Sequence, residues 1–143
     1  MDLSKQPGIV FESILLVEEE FWRDRVIPEN LNVILSINIE SGKMESRCSL
    51  LLECNLKLMS EETDAVEVCR LRARFMGYFI QTPGQENMEI DDFLKYNAPA
   101  LMFPYVREHI STITQKAGLK PVYLPPMNWH AALLTSNQTA TED

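Results

Sequence analysis

Three stretches of this chain place apolar residues at every second position, and that period leaves few folds open. Leu31, Val33, Leu35, Ile37 and Ile39 alternate with polar Asn32, Ser36 and Asn38. Cys48, Leu50, Leu52, Cys54, Leu56 and Leu58 alternate with Arg47, Ser49, Glu53, Asn55 and Lys57, and Cys69, Leu71, Ala73 and Phe75 with Arg70, Arg72 and Arg74. Successive side chains of a strand point to opposite faces, so each run predicts a strand with one buried face. Ser41-Gly42-Lys43 supplies turn chemistry between the first two runs, which predicts a hairpin. The polar connection Ser60-Glu61-Glu62-Thr63-Asp64 leads into the third, another antiparallel strand. Phe11 to Trp22 is rich in strand formers but alternates poorly, with Glu18, Glu19 and Glu20 in a row. It is expected as a further strand at a sheet edge, where charge deters pairing with other chains.

The period changes after Thr82-Pro83-Gly84. Met102, Tyr105, Val106, His109, Ile110 and Ile113 follow the spacing of an amphipathic helix, and Gly118 stands where a helix is commonly stopped. Pro99 suits a first helical turn, but Pro104 falls inside the stripe, so a kink or a restart is expected there. From Leu119 to Met127 three prolines forbid a helix, yet the stretch is too apolar for a solvated loop and must pack on something. Asn128 is placed to cap a short last helix through His130-Ala131-Ala132-Leu133-Leu134. The expected fold is α+β: a four-stranded antiparallel sheet, then a long helix, a crossover loop and a short C-terminal helix. One domain over 1–134 is expected, with 135–143 a polar, disordered tail. One long helix and one short one leave part of the sheet uncovered, and self-association is the simplest remedy.

Charge and composition remove several functions. Asp and Glu number 21 against 13 Lys and Arg, so the chain repels phosphate backbones, and no nucleic-acid partner is expected. No stretch approaches the ~20 apolar residues of a membrane span, and the N-terminus lacks the basic start and apolar run of a signal peptide. A soluble, cytoplasmic protein without membrane insertion is expected. Cys48, Cys54 and Cys69 lack CxxC spacing and occupy apolar phases of their strands, so they read as small core residues of a reducing compartment.

A search for chemistry finds little. The only candidate ligands are the three cysteines with His109 and His130, and core packing is the simpler role for each cysteine; no metal and no cofactor are expected. His109 lies in the helix stripe without a nucleophile nearby in sequence and reads as a buried or interfacial histidine. Phosphate loops, nucleophile elbows and paired-histidine motifs are absent from the sequence, and no enzyme is expected. Arg70, Arg72 and Arg74 are expected to pair across strands with Glu18, Glu20 and Glu53.

The segment Leu101-Met102-Phe103-Pro104-Tyr105-Val106-Arg107-Glu108, with Pro99 just upstream, resembles the helix signature of the SecB family. Val122-x-Leu124-x-Pro126-Met127-Asn128-Trp129 is similar to that family's crossover loop, at the right separation. The resemblance is specific over the last third of the chain and topological before it. It implies a homotetramer, a dimer of dimers, that binds unfolded or partly folded polypeptides without ATP in apolar grooves between sheet, loop and helices. It makes Met102, Phe103, Tyr123, Leu124, Met127 and Trp129 the candidate client-binding residues. Glu18, Glu20 and Arg70 are candidates for partner docking. In export members the SecA motor docks on an acidic sheet face, with a Glu just after a Cys on the last strand; here Cys69 is followed by Arg70. The last helix is also shorter than in export members. Export holdase, guardian of an antitoxin in a toxin-antitoxin system, and an adaptor for one folded partner all stay open.

Overall fold

A computed structural model describes residues 8–82 and 89–124. Four strands, β1 (Ile9–Arg23), β2 (Leu31–Met44), β3 (Arg47–Ser60) and β4 (Glu67–Gln81), form one antiparallel sheet in the order β1-β4-β3-β2. The period-two runs of β3 and β4 bury as expected: Leu50, Leu52, Cys54, Leu56, Leu71, Ala73 and Phe79 are all buried on one face. This is the α+β fold expected from the sequence.

The two outer strands depart from simple alternation in different ways. β1 pairs with β4 through two register shifts, between Phe11 and Ser13 and between Leu16 and Glu18. Each inserts one residue and reverses the phase, so the helix-facing set runs Ile9, Phe11, then Ile14, Leu16, then Glu19, Phe21 and Arg23. β2 pairs with β3 without any shift, from Leu31 opposite Ser60 to Met44 opposite Arg47. That register moves the hairpin turn: Ser41, Gly42 and Lys43 lie within β2, and the chain reverses at Glu45-Ser46, where Glu45 takes a left-handed φ of 32°. Gly42 is needed in the strand because Ser49 lies across it, with its Oγ 2.9 Å from where a Cβ would stand.

Helix follows in three pieces without a break: α1 (Ile90–Asp92), a π-helical turn over Phe93–Asn97, and α2 (Ala98–Lys116). The helix does not restart at Pro104. Pro104 and Ala100 are both exposed, so the carbonyl that loses its partner faces water, and the irregular turn lies earlier, at 93–97. The buried stripe is Met102, Phe103, Val106, Ile110 and Thr114. Tyr105, expected in that stripe, is 52% exposed, because the 3.6-residue repeat that buries Phe103 carries Tyr105 to the flank. α2 lies close over the middle of the sheet: a Cβ on Gly77 of β4 would stand 2.6 Å from Met102 Sδ. At its end the Leu119 N–H donates to Thr114 O and the Gly118 N–H to Gln115 O, both at 3.0 Å, with Gly118 at φ 76°. This is the Schellman arrangement that glycine permits.

Candidate functional site

Beyond Gly118 the chain has no regular secondary structure as far as Leu124, and Leu119 packs with Leu58, Val68 and Cys69. Leu119 and Leu124 are buried at either end of the segment, and Thr114 fixes its middle: its hydroxyl donates to Ile110 O (2.8 Å) and accepts from the Val122 N–H (3.1 Å). A fully buried hydroxyl is thereby satisfied in both roles. Between this segment, the β1–β2 connection and the start of β2 lies an open groove of about 580 Å³. Ile27, Pro28, Leu31, Val33 and Leu58 line one side, and Leu119, Pro121, Val122 and Tyr123 the other, with Glu29, Glu61 and Lys120 supplying charge. Val33 is half exposed and Tyr123 is 75% exposed, so the groove offers apolar and aromatic surface to water.

The candidates named from the sequence separate. Tyr123 stands in the groove wall. Met102, Phe103 and Leu124 do not present surface in this chain: Met102 is locked over Gly77, Phe103 lies in the buried stripe of α2, and Leu124 joins the main core. Met127, Trp129, the last helix and the tail lie outside the described residues. Sequence reading missed Ile27, Pro28 and Val33 as groove residues. Two apolar residues, Val26 and Ile27, in an otherwise polar connection were the available signal.

On the face of the sheet away from α2, the expected cross-strand ion pairs are present. Glu18 reaches Arg74 (3.0 Å) and Arg72 (3.7 Å), and Glu53 reaches Arg72 (3.1 Å) and Arg74 (3.4 Å). The Arg74 Nε to Glu53 contact has ion-pair distance without hydrogen-bond alignment. A hydrogen bond from Asn55, then Arg72 and the two guanidinium charges, hold the Glu53 carboxyl below its ordinary range. Arg70 pairs with Glu67 on its own strand, through Nη2 at 2.8 Å and through Nε, rather than across the sheet. Glu20 adds a longer-range attraction to Arg70 and Arg72. The three docking candidates therefore lie on one face, amid charges that are internally matched.

His109 spans from α2 to the helix-facing side of β1, with Nε2 2.6 Å from Glu19 Oε1 and its ring edge-on to Phe75. It is half-buried and tied to a carboxylate, the interfacial histidine of the sequence reading. Burial pushes the Cys54 thiol up to about 12 and raises Cys48 and Cys69 as well, so these thiols are poor nucleophiles and poor ligands. No cluster of three metal-ligating side chains occurs among the described residues. No helix among them is long and apolar enough to cross a membrane.

A family model described as preprotein translocase subunit SecB matches residues 19–140. An uncharacterized protein of Methanocaldococcus jannaschii is 50% identical over 134 residues, covering 90% of this chain and 84% of the relative. The protein-export protein SecB of Nitrosomonas eutropha is 28% identical over 147 residues, covering 95% of this chain and 88% of the relative. Among solved structures, the Mycobacterium tuberculosis SecB-like chaperone in complex with a ChAD peptide from the HigA1 antitoxin aligns with a TM-score of 0.74. That alignment has 16% identity and covers 84% of this chain and 91% of the other. The sheet with its overlying helix thus has the fold of a SecB-like chaperone. The chain belongs to the SecB family, whose role is that of a chaperone.

Proposed function

We propose that this chain is an ATP-independent holdase that keeps non-native polypeptides from aggregating by receiving extended apolar segments. The observation that carries the reading is an exposed apolar groove lying directly beside an open sheet edge, β2. A segment laid in that groove buries its side chains against Val33, Val122 and Tyr123. The same segment can pair its backbone with β2, so area and main-chain bonds, rather than one shaped pocket, supply the affinity. Many sequences satisfy such a site. Met127 and Trp129 extend this surface in the proposal, which treats 1–134 as one cytoplasmic domain.

The working unit is a homotetramer, a dimer of dimers, consistent with half-exposed Leu101 and Tyr105 on the flank of α2. Light scattering is expected to read four times 16.4 kDa, and a clean monomer would refute the assembly. The holdase itself is tested by aggregation of two unrelated unfolded clients, with and without nucleotide. Suppression by stoichiometric chaperone without ATP is expected; a requirement for ATP, or no suppression, would overturn it.

Client delivery divides the family reading. Export through SecA is the first reading. The specific observation favouring the second, service to one antitoxin, is that Glu18 and Glu53 are spent on Arg72 and Arg74, which leaves little free acidic surface for a motor. The solved M. tuberculosis chaperone carries an antitoxin peptide. Purified chain is expected to bind SecA weakly while still holding clients; tight SecA binding would restore the export reading.

A further inference from the structure

The groove has two walls from distant parts of the chain: the β1–β2 connection, with Ile27 and Pro28, and the segment after α2, from Leu119 to Tyr123. Beneath them lies a shared apolar floor of Leu58, Val68, Cys69 and Leu119, against which Ile27, Leu31 and Val122 pack. Apolar contact is non-directional, so it holds the walls down without fixing how far apart they stand. Each wall is also tied to its own support: the Val122 N–H donates to Thr114 Oγ1 of α2, and the Asp24 N–H to Val68 O of β4. Neither bond crosses the groove.

Arg23, the last residue of β1, makes the crossing. All three nitrogens of its guanidinium donate to backbone carbonyls. Nη1 reaches Ala117 O, at the C-terminal end of α2, where a cation is favoured. Nε reaches Asp24 O at 2.8 Å and Nη2 reaches Arg25 O at 3.1 Å, both in the β1–β2 connection. Nη1 also stands 3.6 Å from where a Cβ on Gly118 would lie, so the guanidinium packs against the turn from which the second wall starts. Among the described residues no other hydrogen bond or ion pair passes between the two walls. Arg47, Arg70, Arg72 and Arg74 each pair with a glutamate, whereas Arg23 is given over to carbonyls. A planar fork with donors in fixed directions holds three carbonyls at fixed relative positions, which the single ammonium of a lysine cannot do.

We infer that Arg23 is a positioning residue for the groove: its guanidinium sets the separation of the two walls and, through it, the affinity for an extended client. The second half of this statement rests on the holdase reading, and the first does not.

Glu29 and Lys120 lie on opposite walls and the native cysteines are buried, so Glu29→Cys with Lys120→Cys places two spin labels across the groove of the full-length chain. Diluted with unlabelled chain, so that only pairs within one chain are read, the labels are expected to give one narrow distance. Arg23→Met keeps the apolar stem and Arg23→Lys keeps the charge, and each is expected to lengthen or broaden that distance. Without labels, both variants should bind an unfolded client about tenfold more weakly, through faster dissociation, while the denaturant midpoint moves little. Should one variant fail to fold, the other carries the test. Unchanged distances would overturn the inference, and so would Arg23→Lys holding clients as well as the parent, which would leave charge alone as the cause. A parent chain that holds no client would overturn the holdase reading, and the label distances would still decide whether Arg23 sets the width of the groove.

Discussion

The sheet has two edges, and they are built differently. β1 carries two bulges and three consecutive glutamates, Glu18 to Glu20. It is also strapped to α2 at three heights: Phe11 packs edge-on to Tyr105, Glu19 meets His109, and Arg23 Nη1 donates to the carbonyl of Ala117. β2 has an unbroken register and, from Leu31 to Gly42, no Lys, Arg or Pro and one charged residue, Glu40. Bulges and charges are how natural sheets prevent unwanted strand addition. One edge has both, and the other, which borders the apolar groove, has no bulge and a single charge from Leu31 to Gly42. The contrast supports the proposed holdase site, because at β2 backbone pairing and apolar burial can act together.

The largest expected effect strikes both edges at once. Gly77→Ala puts a methyl group against Met102, and the overpacking should cost about 1–3 kcal/mol in denaturant unfolding. Hydrogen exchange should then quicken on β1 and β2 together; a loss confined to one edge would show that α2 does not support the sheet as a whole. Next in size, Val33→Lys places a charge on the open edge and in the groove. Client holding should fall roughly tenfold, while stability stays within about 0.5 kcal/mol. Unchanged holding would remove β2 from the site. Glu19→Ala acts on the other edge alone. Loss of the contact with His109 should cost about 1 kcal/mol and leave client holding intact, as thermal unfolding and the aggregation assay can read. A fall in holding equal to that of Val33→Lys would erase the distinction between the edges.

The smallest effect concerns the face between the edges. The Glu53 carboxyl is held below its ordinary value by Asn55 and then by Arg72 and Arg74. A depressed carboxyl stabilises the fold above its unfolded pKa, about 4.3, and that contribution disappears as pH falls through the lower folded value. Glu53→Gln should therefore cost less than about 1 kcal/mol at neutral pH, partly screened by solvent, and the difference from the parent should vanish in acid. A difference that persists below that range would assign the effect to packing.

Much of this was legible in the sequence and some was not, for definite reasons. β3 and β4 could be read because β3 keeps one phase over its whole length and β4 does so from Cys69 onward, past an irregularity at Val68, so Leu50 to Leu58 and Cys69 to Phe75 announce their buried face. β1 could not, because each bulge reverses the phase, and a sequence that is regular in three short pieces looks irregular as a whole. The hairpin turn was misplaced because Glu45 adopts a left-handed conformation without the Gly or Asn that usually marks one, while Gly42 serves a strand crowded by Ser49. The SecB-like signature on α2 identified the family, yet Met102 and Phe103 within it hold the helix to the sheet. The groove joins residues about 90 positions apart, such as Val33 and Tyr123, and no local pattern brings them together.

The most direct test follows backbone hydrogen exchange of the full-length chain with and without a bound unfolded client. Strand addition at β2 should slow the amides of Leu31 to Ile39, and those of the segment 119–124, by about tenfold or more, while β1 exchanges as before. Protection that appears on β1 instead, or a bound client that leaves β2 unprotected, would contradict the assignment of the open edge and its groove as the site where polypeptides are held.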